Sequence, residues 1–191
     1  MSSNYFKTCR ASLAAMTLSL AAFLVGLWAS AADVTENHGQ LSENDYKFAK
    51  AAASGGILEV NLGKIAVGKS TNTDVQQFAQ RMVTDHGKAG QNLAEIATHK
   101  GATLPSEPTS VQQKEFDVVS KLSGSEFDKA YIAFMVRAHK ADEKEFKKAS
   151  DTADDADLKA FDSTTLTMVE DHLRMAMDLD EGLKHKMSMN P

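Results

Sequence analysis

Three histidines occupy positions where helical spacing asks for an apolar residue. His86 follows Phe78, Ala79 and Met82 along one face, His139 follows Ile132 and Met135, and His172 follows Phe161, Thr165 and Met168. Glu59 interrupts a fourth stripe between Gly55 and Leu62. An imidazole inside an apolar stripe needs partners for both ring nitrogens, because a buried polar group without them is costly. A divalent metal would satisfy three imidazoles and a carboxylate at once, and helical bundles commonly hold metals in this way. Zinc, copper and iron all suit imidazole. Asp142, one turn beyond His139, is a fifth candidate ligand, and Asp85, Glu143, Glu170 and Asp171 are near enough in sequence to accept ring N–H groups. Without a metal, the same residues would form a buried network of His, Glu and Asp.

Each of these histidines has a methionine four residues before it (Met82, Met135 and Met168), and Met175 follows His172 by three. Thioethers beside imidazoles would suit copper, particularly Cu(I), although methionine on such a stripe is also ordinary core filler. A di-iron carboxylate centre is disfavoured: it needs Glu-x-x-His on two helices, and the residues three before His86 and His172 are Val83 and Val169. No Ser-His-Asp set, phosphate loop or pair of catalytic carboxylates stands out. His38, His99 and His185 fall off the stripes and receive no role; His38 is expected to be solvated.

The stripes require four long helices. The first is predicted over about 43–69, opened by Ser42-Glu43-Asn44-Asp45 with a hydroxyl cap and acids in the first turn. Its stripe is Phe48, Ala52, Gly55, Glu59, Leu62 and Ala66; Gly55-Gly56 weakens it, and close approach of a neighbouring helix would explain the pair. Thr71-Asn72-Thr73-Asp74 starts the second, which runs to about Lys100 and stops at Gly101. Residues 101–124 form the one long connection, with a short helix over 111–122. Ser125-Glu126-Phe127-Asp128 reads as a capping box for the third long helix, to about Ser150, and the fourth spans about 156–186. Period-2 alternation is absent, so no strand competes. Four long helices, two tight turns and one long crossover specify an all-α, ferritin-like four-helix bundle over 42–187. The four polar positions fall near the helix midpoints, so they share a level whichever way the helices run.

Residues 1–31 read as a signal peptide. Lys7 and Arg10 precede an uncharged run from Ala11 to Ala32, and Ala29-Ser30-Ala31 supplies the small residues of a cleavage site. The run is long enough to be an uncleaved anchor instead. Residues 32–41 read as a flexible leader. Cleavage removes Cys9, the one cysteine, and with it any disulfide or thiolate metal site. It also removes two of the 21 basic residues and none of the 26 acidic ones, leaving 19 against 26 and a net charge of −7. That charge argues against nucleic acid and against tight adsorption to anionic lipid.

Five stretches resemble a known family: Gly55-Gly56-Ile57-Leu58-Glu59-Val60-Asn61-Leu62-Gly63, Phe78-Ala79-Gln80-Arg81-Met82-Val83-Thr84-Asp85-His86, Phe127-Asp128-Lys129-Ala130-Tyr131, Met135-Val136 leading to His139, and His172-Leu173 leading to Ala176. The chain resembles, over about 43–183, secreted bacterial ferritin-like proteins of unknown function that often carry the label of predicted outer-membrane proteins. The resemblance implies a ferritin-like bundle exported to the periplasm. It implies no activity, and nothing in the chain is patterned like a transmembrane barrel strand. Three readings follow. The first is a non-enzymatic periplasmic protein that binds a metal or serves in stress; the second is a metal-dependent redox enzyme, which needs an open coordination position and a path into the core. The third is a structural protein whose polar layer only fixes helix register.

Overall fold

The computed structural model describes residues 36–188. Residues 1–31, read from the sequence as a signal peptide, and the first residues of the expected leader lie outside them. Among the described residues there are five helices and no strand: α1 (Glu43–Lys69), α2 (Thr73–His99), α3 (Ser110–Ser120), α4 (Gly124–Thr152) and α5 (Ala156–Ser188). None is long and apolar enough to cross a membrane.

The helix starts follow from local chemistry. Ser42 accepts the Asp45 N–H and Asn72 accepts the Asp74 N–H, each satisfying a backbone donor that a helix N-terminus leaves free. The capping box lies elsewhere than the sequence suggests. Thr109 and Gln112 form it, at the start of α3, whereas α4 begins one residue earlier than Ser125, from an extended Ser123 without a side-chain cap bond.

Contacts at the helix ends fix the directions. At one end, Asp45 accepts the N–H groups of Asp154 and Asp155, and Lys100 pairs with Asp155 and Asp157 at 2.7 Å each. At the other, the Lys69 ammonium donates to the carbonyls of Ser120 and Leu122. So α1 runs opposite to α2, the crossover returns along the length, and α4 runs back beside α1 before α5 reverses. Helix α1 packs mainly on α2 and α4 mainly on α5; α2 meets α5 and α1 meets α4. Every such neighbour pair is antiparallel.

Two apolar clusters make up the core. One joins Leu62, Phe78, Met82, Phe127, Tyr131 and Met135; the other joins Tyr46, Leu93, Phe146, Leu158, Phe161 and Val169. Met82 and Met135 belong to this packing. The end of the leader is not loose: Gln40 donates to the Lys100 carbonyl, Asn37 accepts from Thr103, and Leu41 is buried. Gly39 makes this docking possible, since its positive φ of 57° suits glycine and a Cβ there would fall 2.1 Å from the Lys100 oxygen. His38, expected in solvent, is exposed but bonded through Nδ1 to the Leu41 carbonyl at 3.1 Å.

Candidate metal centre

Each long helix brings one stripe residue to a common level: α1 Glu59, α2 His86, α4 His139 and α5 His172. All four are buried, His139 and His172 completely. His86 Nε2 lies 3.3 Å from His139 Nε2 and 3.2 Å from His172 Nδ1. The three rings thus turn one nitrogen each toward a shared point, their ligating atoms all within 4.8 Å of one another.

The groups behind the rings decide where the ring protons sit. His86 Nδ1 is 3.0 Å from Glu59 Oε2, His172 Nε2 is 3.0 Å from Asp85 Oδ2, and His139 Nδ1 is 3.0 Å from the Met135 carbonyl. All three partners are acceptors, so the outer nitrogen of each neutral ring carries the N–H. Each inner nitrogen then holds a bare lone pair. With all three rings neutral, the contacts of His86 to the other two at 3.2–3.3 Å contain no donor, and a cation between the rings or a proton on His86 Nε2 would join them.

The charges divide the three rings. Burial pushes the His172 imidazole down, the neighbouring His86 adds to it against the pull of Asp85, and the pKa falls to about 4. Burial also lowers His139. For His86 burial acts downward too, but the Glu59 carboxylate outweighs it and raises the group. Burial works against an ionised Glu59, yet the three imidazoles hold its carboxyl below the usual range. Asp142 lies on the far side, grouped with Glu59 and His139 rather than with the three-histidine set. Burial and then the Glu59 charge push its carboxyl up to about 8, so near neutral pH it holds a proton beside Glu59.

A family model described as a domain of unknown function, DUF4142, matches residues 30–179. The chain belongs to the DUF4142 family. No curated protein matches it. Among solved structures, this DUF4142 chain is similar to a DUF305 fragment from Deinococcus radiodurans at 12% identity and a TM-score of 0.65, covering 76% of this chain and 98% of that one. It is also similar to a DUF305 protein from Streptomyces coelicolor described as a candidate secreted protein, at 14% identity and a TM-score of 0.64, covering 74% and 94%. At such identities the likeness speaks for an all-helical fold.

The structure of the DUF4142 chain brings the sequence-derived residues together but sorts them. His86, His139 and His172 face one another. Glu59 stands behind His86 and 3.4 Å from His139 Nδ1, and the carboxyl groups of Glu59 and Asp142 form with His139 a second cluster whose candidate ligand atoms lie within 4.8 Å of one another. Of the expected outer acceptors, Asp85 meets His172, while Asp171 turns to Arg174 at 2.9 Å. The Met135 carbonyl is the partner that sequence reasoning missed. A backbone oxygen four residues back leaves no mark in residue types.

Proposed function

We propose that this protein is an exported, periplasmic metal-binding protein, built as a ferritin-like four-helix bundle, that holds one divalent ion between His86, His139 and His172. The observation that carries the reading is the set of three converging inner nitrogens, each on a ring with an acceptor behind it. Acceptors behind the rings are the usual arrangement in protein metal sites, where they fix the tautomer and raise ligand basicity. The spacing supports zinc first: nitrogens 2.0–2.1 Å from a tetrahedral ion lie about 3.3–3.4 Å apart, against the 3.2–3.3 Å seen here. Copper and iron fit the same donors less selectively. The antiparallel neighbours and single long crossover support the bundle assignment, and the uncharged run followed by Ala29-Ser30-Ala31 supports export.

One observation favours metal-dependent redox chemistry as a second reading. A cavity lined by Glu59, His86 and Asp142 gives small molecules a route toward the layer. Elemental analysis of protein purified from the periplasm, beside a variant with all three histidines changed to alanine, tests both readings. About one metal per chain in the wild type and none in the variant is expected. Equal metal in both, or a substoichiometric wild type, leaves a metal-free polar layer that fixes helix register. Turnover of peroxide or oxygen by the metal-loaded protein would promote the redox reading.

A further inference from the structure

Between the four long helices, on the side of α1 nearer its N-terminus, lies a cavity of about 1180 Å³. Phe48, Leu93, Phe146, Leu158 and Phe161 make much of its wall apolar. Lys47, Lys64 and Lys148 also border it, but they are exposed and their stems let the ammonium heads reach water. Asp162 borders the cavity from α5. It is 1% exposed, and neither of its carboxylate oxygens has a hydrogen-bond partner.

A buried carboxylate without a partner is among the least favourable groups an interior can hold. Its neighbour cannot relieve it. Both oxygens of Asp45 are already taken by the N–H groups of Asp154 and Asp155, at 3.3 and 2.9 Å. Burial first, and then the Asp45 charge, push the Asp162 carboxyl up to about 7, so it is largely ionised only above neutral pH. A hard metal ion would need several oxygen ligands, and the other carboxylate on this wall with a partnerless oxygen, Glu59, belongs to the imidazole layer, 3.4 Å from His139 Nδ1. The missing partner is a donor that brings its own positive charge and an apolar body to cover the wall. Aromatic faces add to the attraction for such a cation.

We propose that this cavity binds a small organic amine, its ammonium on Asp162 and its hydrocarbon body against Phe48, Phe146 and Phe161. The cavity reaches the imidazole layer at its far end, where Glu59, His86 and Asp142 line it. Asp162 precedes His172 by ten residues, about 15 Å along the helix, so the inference stands whether or not the layer holds a metal.

Calorimetric titration of the full chain at pH 8 and physiological salt, with hexylamine, hexanol and hexanoate, tests it. Hexylamine is expected to bind at least tenfold tighter than hexanol, and hexanoate not at all. Asp162→Asn, with an unchanged helical circular dichroism spectrum, is expected to lose that tenfold preference and keep its affinity for hexanol. Ala52→Trp, which fills the cavity from α1, is expected to abolish binding of both and serves should the first variant fail to fold. Equal binding of amine and alcohol by the wild type would mean a permanently neutral Asp162 and overturn the proposal. So would an amine preference that survives either substitution.

Discussion

Asp162 holds its proton more tightly in the folded chain than an exposed aspartate does in the unfolded one. Its carboxyl stands at about 7, raised by burial and by Asp45, against an ordinary value of about 3.9. Between those two values the folded state binds the extra proton, so raising the pH through that window draws stability out of the fold. Each unit of the rise is worth about 1.4 kcal/mol. Asp162→Asn removes the charge and is therefore expected to stabilise the protein by the order of 1–4 kcal/mol at pH 8, with the gain shrinking toward zero near pH 4. Urea unfolding of both proteins at the two pH values measures this; a gain equal at both would show that Asp162 does not titrate in this window. Single residues were legible in the sequence only where they broke a pattern. His86, His139 and His172 announce themselves because an apolar stripe has one polar member. Asp162, four residues after Leu158 and three before Thr165, shares their face, but spacing does not show that no donor reaches it. Nor does spacing tell which ring nitrogen faces inward, since that depends on acceptors such as Asp85 and the Met135 carbonyl that reach each ring from behind.

At the scale of elements, the glycines of α1 divide the work differently from the expectation drawn from their order. The pair Gly55-Gly56 suggested a close helix crossing, but a Cβ on Gly56 would meet nothing within 4 Å, and one on Gly55 only the Gln112 side chain at 4.0 Å. The tight contact is two turns further on, where a Cβ at Gly63 would sit 3.0 Å from Val83 Cγ2 and 3.1 Å from the Ala79 carbonyl oxygen. Gly63→Ala is thus expected to destabilise by about 1–3 kcal/mol, through overpacking against a backbone that cannot yield. Gly56→Ala is expected to stabilise by about 0.5–1 kcal/mol, the propensity difference in a helix interior. Chemical denaturation of the two variants decides; destabilisation by Gly56→Ala would show that the cavity side of α1 needs the bare backbone. The helices themselves were largely readable, because a 27-residue element repeats its apolar period about seven times and averages out local exceptions. What the period hid was the cavity. Phe48, Ala52, Gly55 and Glu59 form a regular stripe and all four line it, since spacing gives the face of a helix but not whether a neighbour fills the space before it. Sequence periodicity on α5 also slips by one position beyond Thr165, where Val169 and Ala176 are fully buried in place of Met168 and Met175.

For the molecule as a whole, the polar layer joins elements that otherwise pair off. Helices α1 and α2 form one antiparallel hairpin and α4 and α5 the other, and the three inner imidazoles come from both: His86 from the first, His139 and His172 from the second. An ion bound there would tie the hairpins together at mid-height, where apolar packing gives way between the two core clusters. The unfolded chain has no such site, because His86 and His139 are 53 residues apart in sequence. Binding free energy at this place therefore becomes folding free energy. A free zinc concentration one hundred times the dissociation constant is expected to add about 2.7 kcal/mol, or roughly 5–10 °C in Tm for a domain of this size. Chelator should reverse the rise, and His139→Ala should lose it, because the ring it removes faces the other two and is itself wholly buried. Thermal unfolding with zinc, with chelator and in that variant measures all three. If zinc leaves the wild-type Tm unmoved, the lone pairs are bridged by a proton and the hairpins are held by packing alone; if it raises the variant equally, the ion binds elsewhere.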